Sequence, residues 1–120
     1  MRPKAKGSRV HNALEADIRR TVVEFMVLHG WRHFRTDPVS DRRRATGFGE
    51  KGMPDDLFLR YWSWVNGHPA AIVWIEFKRP GQEPKPHQLA WHQAERARGG
   101  SVLVVDDIDA FLKAYPGNVE

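Results

Sequence analysis

A helical repeat of apolar positions defines the first element of the chain. Apolar residues recur there every three or four positions, at Leu14, Ile18, Val22 and Phe25. Gly30 stands where a glycine commonly ends a helix, so the pattern predicts a helix over residues 12–29. The pattern is weak from residue 31 to residue 54 and predicts a short strand near residues 33–39, followed by a loop rich in Gly and Arg.

Two strand patterns follow, and both are rich in aromatic and β-branched residues. They read LFLRYWSWV (residues 57–65) and AAIVWIEFK (residues 70–78). Asn66 and Gly67 between them are typical of a tight hairpin turn. We expect Trp62, Trp64 and Trp74 to pack under a helix.

The last third of the chain alternates helix and strand. PHQLAWHQAERAR (residues 86–98) is typical of a helix with Pro in its first turn, and SVLVV (residues 101–105) is typical of a strand buried on both faces. Asp107 is expected to cap a last short helix. The strand–helix–strand succession predicts a parallel pair, so the chain is expected to form an α/β domain with a mixed sheet and helices on its faces.

The hairpin brings acids and a lysine together. If Asn66 and Gly67 are the loop residues, counting back along both strands sets Asp55 opposite Lys78, with Glu76 on the same face. Two carboxylates about 5 Å apart repel by roughly 3 kcal/mol at an effective dielectric near 20. Lys78 alone offsets this in an ordinary ion pair, whereas Mg²⁺ offsets it better. Asp56 has the opposite parity and is expected to act as a cap or to be solvated.

Composition places further limits on function. The chain has 120 residues, no Cys and a formal net charge of +4, which fits one intracellular domain with polyanionic partners. No apolar run reaches the roughly 18 residues that span a bilayer, and the N-terminus lacks a secretory signal, so we expect a cytoplasmic protein without a membrane partner. Residues 1–10 are expected to be a mobile basic arm. The cations expected to contact nucleic acid are Arg9, Arg42, Arg43, Arg44 and Lys51.

The segments GMPDD, WIEFKRPG and PHQLAWHQ resemble the PD-(D/E)xK nucleases, in particular the small stand-alone virus-type replication-repair nuclease (VRR-NUC) domain of phages and bacteria. The resemblance implies a restriction-endonuclease-like core in the order α-β-β-β-α-β-α. Carried over by position, the catalytic residues are Asp55, Glu76, Lys78, Gln88 and the helical acid Glu15.

The resemblance also implies an activity. Mg²⁺ or Mn²⁺ would be held by Asp55, Glu76 and the carbonyl of Phe77, with Glu15 assisting, while Lys78 and Gln88 orient the attacking water. The implied protein is a DNA endonuclease selective for branched or junction DNA in replication, recombination or repair, acting as a homodimer in a bacterial or phage-infected cell.

Other interpretations stay open on the sequence alone. Glu15 also fits a capping box with Asn12, and Gln88 fits a polar position in a first helical turn. A non-catalytic nucleic-acid-binding module with the same fold is the main alternative function, and a structural protein with a plain Asp55–Lys78 ion pair is another. His87 and His92 lie five residues apart, off one helical face, so core or surface roles are expected for them rather than zinc binding.

Overall fold

Seven elements follow one another within residues 4–36, 50–61 and 71–115, which the computed structural model describes, with side chains from residue 14 onward in the first helix. Their order agrees with the predicted succession of helices and strands. The elements are α1 (Lys4–Leu28), β1 (Arg32–Arg35), β2 (Asp56–Arg60), β3 (Ala71–Phe77), α2 (Pro86–Ala97), β4 (Ser101–Val105) and α3 (Ile108–Ala114).

The strands form one mixed sheet in the order β1-β2-β3-β4. The β1–β2 and β2–β3 pairs are antiparallel, and β3–β4 is parallel, with α2 as the connection. The predicted α/β class, with a mixed sheet flanked by helices, is therefore confirmed and is compatible with a restriction-endonuclease-like core. Within the described ranges, no helix is long and apolar enough to cross a membrane.

Helix α1 packs one apolar stripe on the sheet. Ile18, Val22 and Met26 follow each other at intervals of four residues and are buried in the same cluster as Phe58 and Ile75. Phe58 and Ile75 have no solvent exposure, so truncating either to Ala would cost about 2–5 kcal/mol of folding free energy. This stripe fixes which side of α1 faces the strands.

Helix α2 lies on the other face, over Trp74. The Trp74 and Trp91 rings meet edge to face with centroids 4.9 Å apart, and Trp74 Nε1 donates to Glu95 Oε2 at 3.1 Å. The prediction that Trp74 packs under a helix is confirmed. Trp62, Trp64 and the Asn66–Gly67 turn lie outside the described residues.

The start of α1 and the exposure of β4 differ from expectation, whereas the cap at Asp107 agrees with it. Helix α1 begins at Lys4, so Asn12 lies inside it, and residues 4–10 of the predicted arm form its first turns. Strand β4 is at the sheet edge with Val104 38% exposed, so its predicted burial on both faces is wrong. The cap at Asp107 is confirmed, because its carboxylate accepts from Ala110 N at 2.8 Å.

Candidate active site

The turn before β2 is fixed from two sides. Gly52 has φ +90°, and a Cβ there would collide with the carbonyl oxygen of His87 in the first turn of α2. From the β1 side, Thr36 N donates to Asp55 O at 2.9 Å, and the Thr36 hydroxyl donates to the Pro54 carbonyl. Asp55 is thus held on a turn that touches α2 as well as β1.

The strand register places Asp55 beside Glu76. Asp56 pairs with Ile75, so the next pair in the same register joins Asp55 and Glu76. The predicted pairing of Asp55 with Lys78 is therefore wrong by two residues. Because side chains alternate with a period of two, this shift leaves Asp55 on the face of Glu76 and Lys78.

Gln88 connects Lys78 to Glu76. Lys78 Nζ donates to Gln88 Oε1 at 2.8 Å, and Gln88 Nε2 donates to Glu76 Oε2 at 3.0 Å. Gln88 Oε1 also accepts from Lys85 N at 2.8 Å at the start of α2. Gln88 therefore occupies a polar position in the first turn of α2 and also contacts two predicted site residues, since one amide oxygen accepts from both Lys85 N and Lys78 Nζ.

The carboxyl of Glu76 is buried, and the positive charge near it only partly offsets the cost of that burial. It is 3% exposed, and its closest cation is Lys78, whose Nζ lies 3.7 Å from Oε2. Burial raises the pKa of Glu76 to about 7, because the opposing attraction of Lys78 is weaker and repulsion from Asp55 and Glu15 adds to the effect. Such a carboxyl is stabilised either by keeping its proton or by a further positive charge nearby.

The structure bears on both interpretations of Glu15, as a helix cap and as a site acid. Asn12 is inside α1, so the capping-box interpretation of Glu15 is wrong. Glu15 is half-buried and lies close enough to Glu76 to raise its pKa, although less than Asp55 does. All three predicted acids thus share one electrostatic neighbourhood.

His92 is a neighbour of the site that sequence reasoning missed. Its side chain is fully buried, as a core role requires, yet Nε2 lies 3.4 Å from Glu76 Oε1. Burial lowers the pKa of His92, and the Arg96 and Lys78 cations lower it further, so the ring is neutral at pH 7. Its position four residues after Gln88, one turn along the same helix face, was the available signal.

The donor set suits a hard divalent ion that keeps part of its water. Within residues 14–36, 50–61 and 71–115, no group of three or more His, Asp or Glu side chains is placed so that it could hold a metal ion. Mg²⁺ is commonly held by one or two carboxylates with water and substrate phosphate, and exposed Asp55 beside buried Glu76 fits that pattern. Phe77, the predicted carbonyl ligand, is the last residue of β3.

Asp56 lies on the opposite side of the sheet. It is fully buried, and both of its oxygens accept from Arg19, at 2.9 Å from Nε and 2.7 Å from a terminal nitrogen. The expectation that Asp56 caps a turn or is solvated is therefore wrong. No local pattern of residues indicates this pairing, because Arg19 lies 37 residues away from Asp56.

The cations predicted to contact nucleic acid are mostly beyond the described part of the chain. Lys51 is described and is exposed, in the turn that leads to Asp55. The side chains outside the described set are Arg9, Arg42, Arg43 and Arg44.

Comparison with known proteins adds one relative. The chain matches no protein-family model. It is 34% identical over 85 residues to the "Putative nuclease p44" of Acyrthosiphon pisum secondary endosymbiont phage 1, an alignment that covers 63% of this chain and 84% of the phage protein. At that identity and coverage, the chain belongs to the same protein family as p44 of this phage.

Proposed function

We propose that the protein is a metal-dependent DNA endonuclease of the PD-(D/E)xK type, with the VRR-NUC domain as its nearest pattern. The observation that carries the proposal is the buried Glu76 carboxyl, which lies beside Asp55 and is connected through Gln88 to Lys78. Membership in the family of a phage nuclease supports the nuclease class.

The acids would bind the ion, and Lys78 and Gln88 would orient the attacking water. Asp55 and Glu76 would hold Mg²⁺ or Mn²⁺ together with the Phe77 carbonyl, and Glu15 would act directly or through water. The bound ion would polarise the scissile phosphate and lower the pKa of a coordinated water. The remaining roles at this site would belong to the side chains of Lys78 and Gln88.

Lys78 supplies the positive charge at the site. Its ammonium is held by Gln88, so it is aimed before substrate arrives and needs no reorganisation during the reaction. One of its protons would stabilise the charge that develops on the phosphate oxygens or orient the attacking water. Water adds to phosphorus, the bond to the 3′ oxygen breaks, and the products are a 5′ phosphate and a 3′ hydroxyl.

Substrate selection is proposed to rest on DNA shape. Lys51 and the Arg-rich segment around residues 42–44 would contact phosphates, which fix position without reading sequence. One centre cuts one strand, so paired cuts in a four-way junction would require two copies of the chain. We therefore propose branched or junction DNA as the substrate and a homodimer as the active form.

Cleavage assays test the proposal directly. Labelled four-way junction, flap and linear duplex would be incubated with the wild-type protein in Mg²⁺, Mn²⁺ or EDTA, beside Asp55→Asn and Glu76→Ala. We expect cleavage in Mg²⁺ or Mn²⁺ only, and its loss in both variants. Asp109→Asn changes an exposed aspartate on α3 and is the matched control that keeps activity.

Two results would overturn the proposal. Cleavage that persists in EDTA would exclude the metal-dependent mechanism. DNA binding that weakens steeply with salt, but without cleavage in either metal, would instead identify a nucleic-acid-binding module.

A further inference from the structure

A polar cluster around one buried carboxylate joins α1 to β2 next to the proposed site. This cluster, called here the Asp56 cluster, consists of Asp56, Arg19 and His33. Asp56 is fully buried, the Arg19 guanidinium donates to both of its oxygens, and His33 Nε2 lies 2.6 Å from Oδ1. Arg35 Nε is farther from the same oxygen, at 3.9 Å.

Each end of the Arg19–Asp56 contact lies beside a proposed metal-binding acid. Arg19 follows Glu15 by four residues, which is about one helical turn on the same side of α1. Asp56 directly follows Asp55 along the chain, and their side chains lie on opposite faces of the sheet. The contact therefore connects the turn of α1 that carries Glu15 to the strand end that carries Asp55.

The form of this contact matters more than its strength. Apolar packing by Ile18 and Val22 holds α1 on the sheet, but such packing is not directional. A guanidinium that donates two hydrogen bonds to one carboxylate fixes both distance and orientation. A buried ion pair adds little net stability compared with apolar residues of similar volume, so specificity of position is the better account of its presence.

We propose that Asp56 is a positioning residue for the nuclease site, holding Glu15 in place through Arg19. The inference rests on the proposed function. Displacement of a catalytic group by about 1 Å commonly costs on the order of 100-fold in rate. Loss of the Arg19–Asp56 contact therefore lowers kcat because Glu15 moves relative to Asp55 and Glu76.

A double-mutant cycle separates positioning from stability. The four proteins are wild type, Glu15→Gln, Asp56→Asn and the double variant, all assayed at a temperature where each is folded. Asp56→Asn is expected to lower kcat by about 10- to 100-fold in the wild-type background and by less than about 2-fold in the Glu15→Gln background. Val73→Ala, a core truncation, is the control for stability and leaves kcat of the folded protein unchanged.

Amide hydrogen exchange supplies a measurement that does not depend on activity. In Asp56→Asn, exchange is expected to rise in the turn of α1 around Glu15 while α3 stays unchanged. Arg19→Lys keeps the charge but loses the paired hydrogen bonds, so it is a milder variant for use if Asp56→Asn fails to fold. It is expected to give the same pattern with a smaller loss of kcat.

The results distinguish this inference from the proposed function. If wild type cleaves DNA and the double variant loses kcat by the product of the two single losses, the two residues act independently. That result would overturn the positioning role but leave the proposed function standing. An equal rise of exchange in α1 and α3 overturns it whether or not the wild type cleaves. Absence of cleavage by wild type in Mg²⁺ and Mn²⁺ overturns the proposed function, and the positioning role with it.

Discussion

Each face of the sheet carries a buried carboxylate, and the two differ in how closely a cation is paired with them. Asp56, on the α1 face, accepts two hydrogen bonds from Arg19 and contacts His33. Glu76, on the α2 face, is held by the neutral Gln88 amide and lies 3.7 Å from its nearest cation, Lys78. Both acids are almost fully removed from water, but the charge of only the first is matched by a guanidinium.

The difference separates a structural carboxylate from one prepared to bind a cation. A carboxylate whose charge is already offset by a guanidinium gains little from binding another cation. An acid whose pKa is raised to about 7 by burial, against only partial compensation by Lys78, gains from a divalent cation. Substitutions on the two faces should therefore have different effects on cleavage and on stability.

Replacing Lys78 should have the largest effect on the proposed site at the α2 face. Lys78→Met keeps much of the apolar stem but removes the charge that is held by Gln88, so we expect cleavage to fall by about 100- to 1,000-fold. DNA affinity, measured by fluorescence anisotropy, should change little. Lys113→Met removes an exposed lysine from α3 and is the matched control. Cleavage unaffected in Lys78→Met would remove the lysine from the mechanism.

Neutralising each of the two adjacent aspartates should affect stability very differently. Asp56→Asn leaves Arg19 facing a neutral amide in a buried site, which should lower the free energy of unfolding by about 3–5 kcal/mol. Asp55→Asn removes repulsion with Glu76 and should change it by less than about 1 kcal/mol. Urea denaturation of both variants measures the difference, and equal losses would contradict the contrast.

The pH dependence of metal-free stability should report Glu76. The folded protein keeps the Glu76 proton up to a pKa of about 7, whereas the ordinary value of 4.5 applies after unfolding. At Glu76 the folded state therefore binds more protons between these values, and the contribution of Glu76 to stability falls by up to about 3 kcal/mol as pH rises from 4.5 to 7.

Glu76→Gln should remove this contribution to the slope. Glu24→Gln, which changes an exposed glutamate of α1, should keep it. Urea denaturation at several pH values in EDTA compares the two variants with wild type. Parallel slopes in Glu76→Gln and wild type would show that Glu76 does not titrate as described.

Gly52→Ala should produce a smaller loss. It combines an unfavourable positive φ with a collision against the His87 carbonyl, so a cost of about 1–3 kcal/mol is expected. Gly81→Ala is the matched control, since Gly81 has φ +80° but no atom within 4 Å of an added Cβ. Only Gly52→Ala should also reduce cleavage, because its turn holds Asp55 against α2. An equal effect of both substitutions on cleavage would contradict this role.

Local sequence patterns predicted the elements well but not their longer-range pairing. The helix at Pro86, the strand SVLVV and the cap at Asp107 follow from nearby residues, and the structure confirms all three. The predicted β2–β3 register was wrong by two residues because it was counted from an assumed turn at Asn66 and Gly67, whereas Asp56 pairs with Ile75. The prediction that Asp55 and Glu76 lie on the same face of the sheet was still correct, because an error of two residues does not change the face.

The charge partners on the α1 face could not be predicted. Asp56 meets Arg19 and His33 at sequence separations of 37 and 23 residues, and no local pattern indicates such pairs. The start of α1 was missed for a related reason, since residues 4–11 have no apolar repeat that would indicate a helix.

Calorimetric titration of metal-free protein with Mn²⁺ at pH 6.5 shows whether Glu76 binds the ion. Wild type is expected to bind Mn²⁺ and to release protons as Glu76 ionises. Glu76→Gln should weaken binding by at least about 10-fold and abolish that release, while Glu24→Gln behaves as wild type. Unchanged Mn²⁺ affinity and proton release in Glu76→Gln would contradict the assignment of Glu76 as a metal-binding acid.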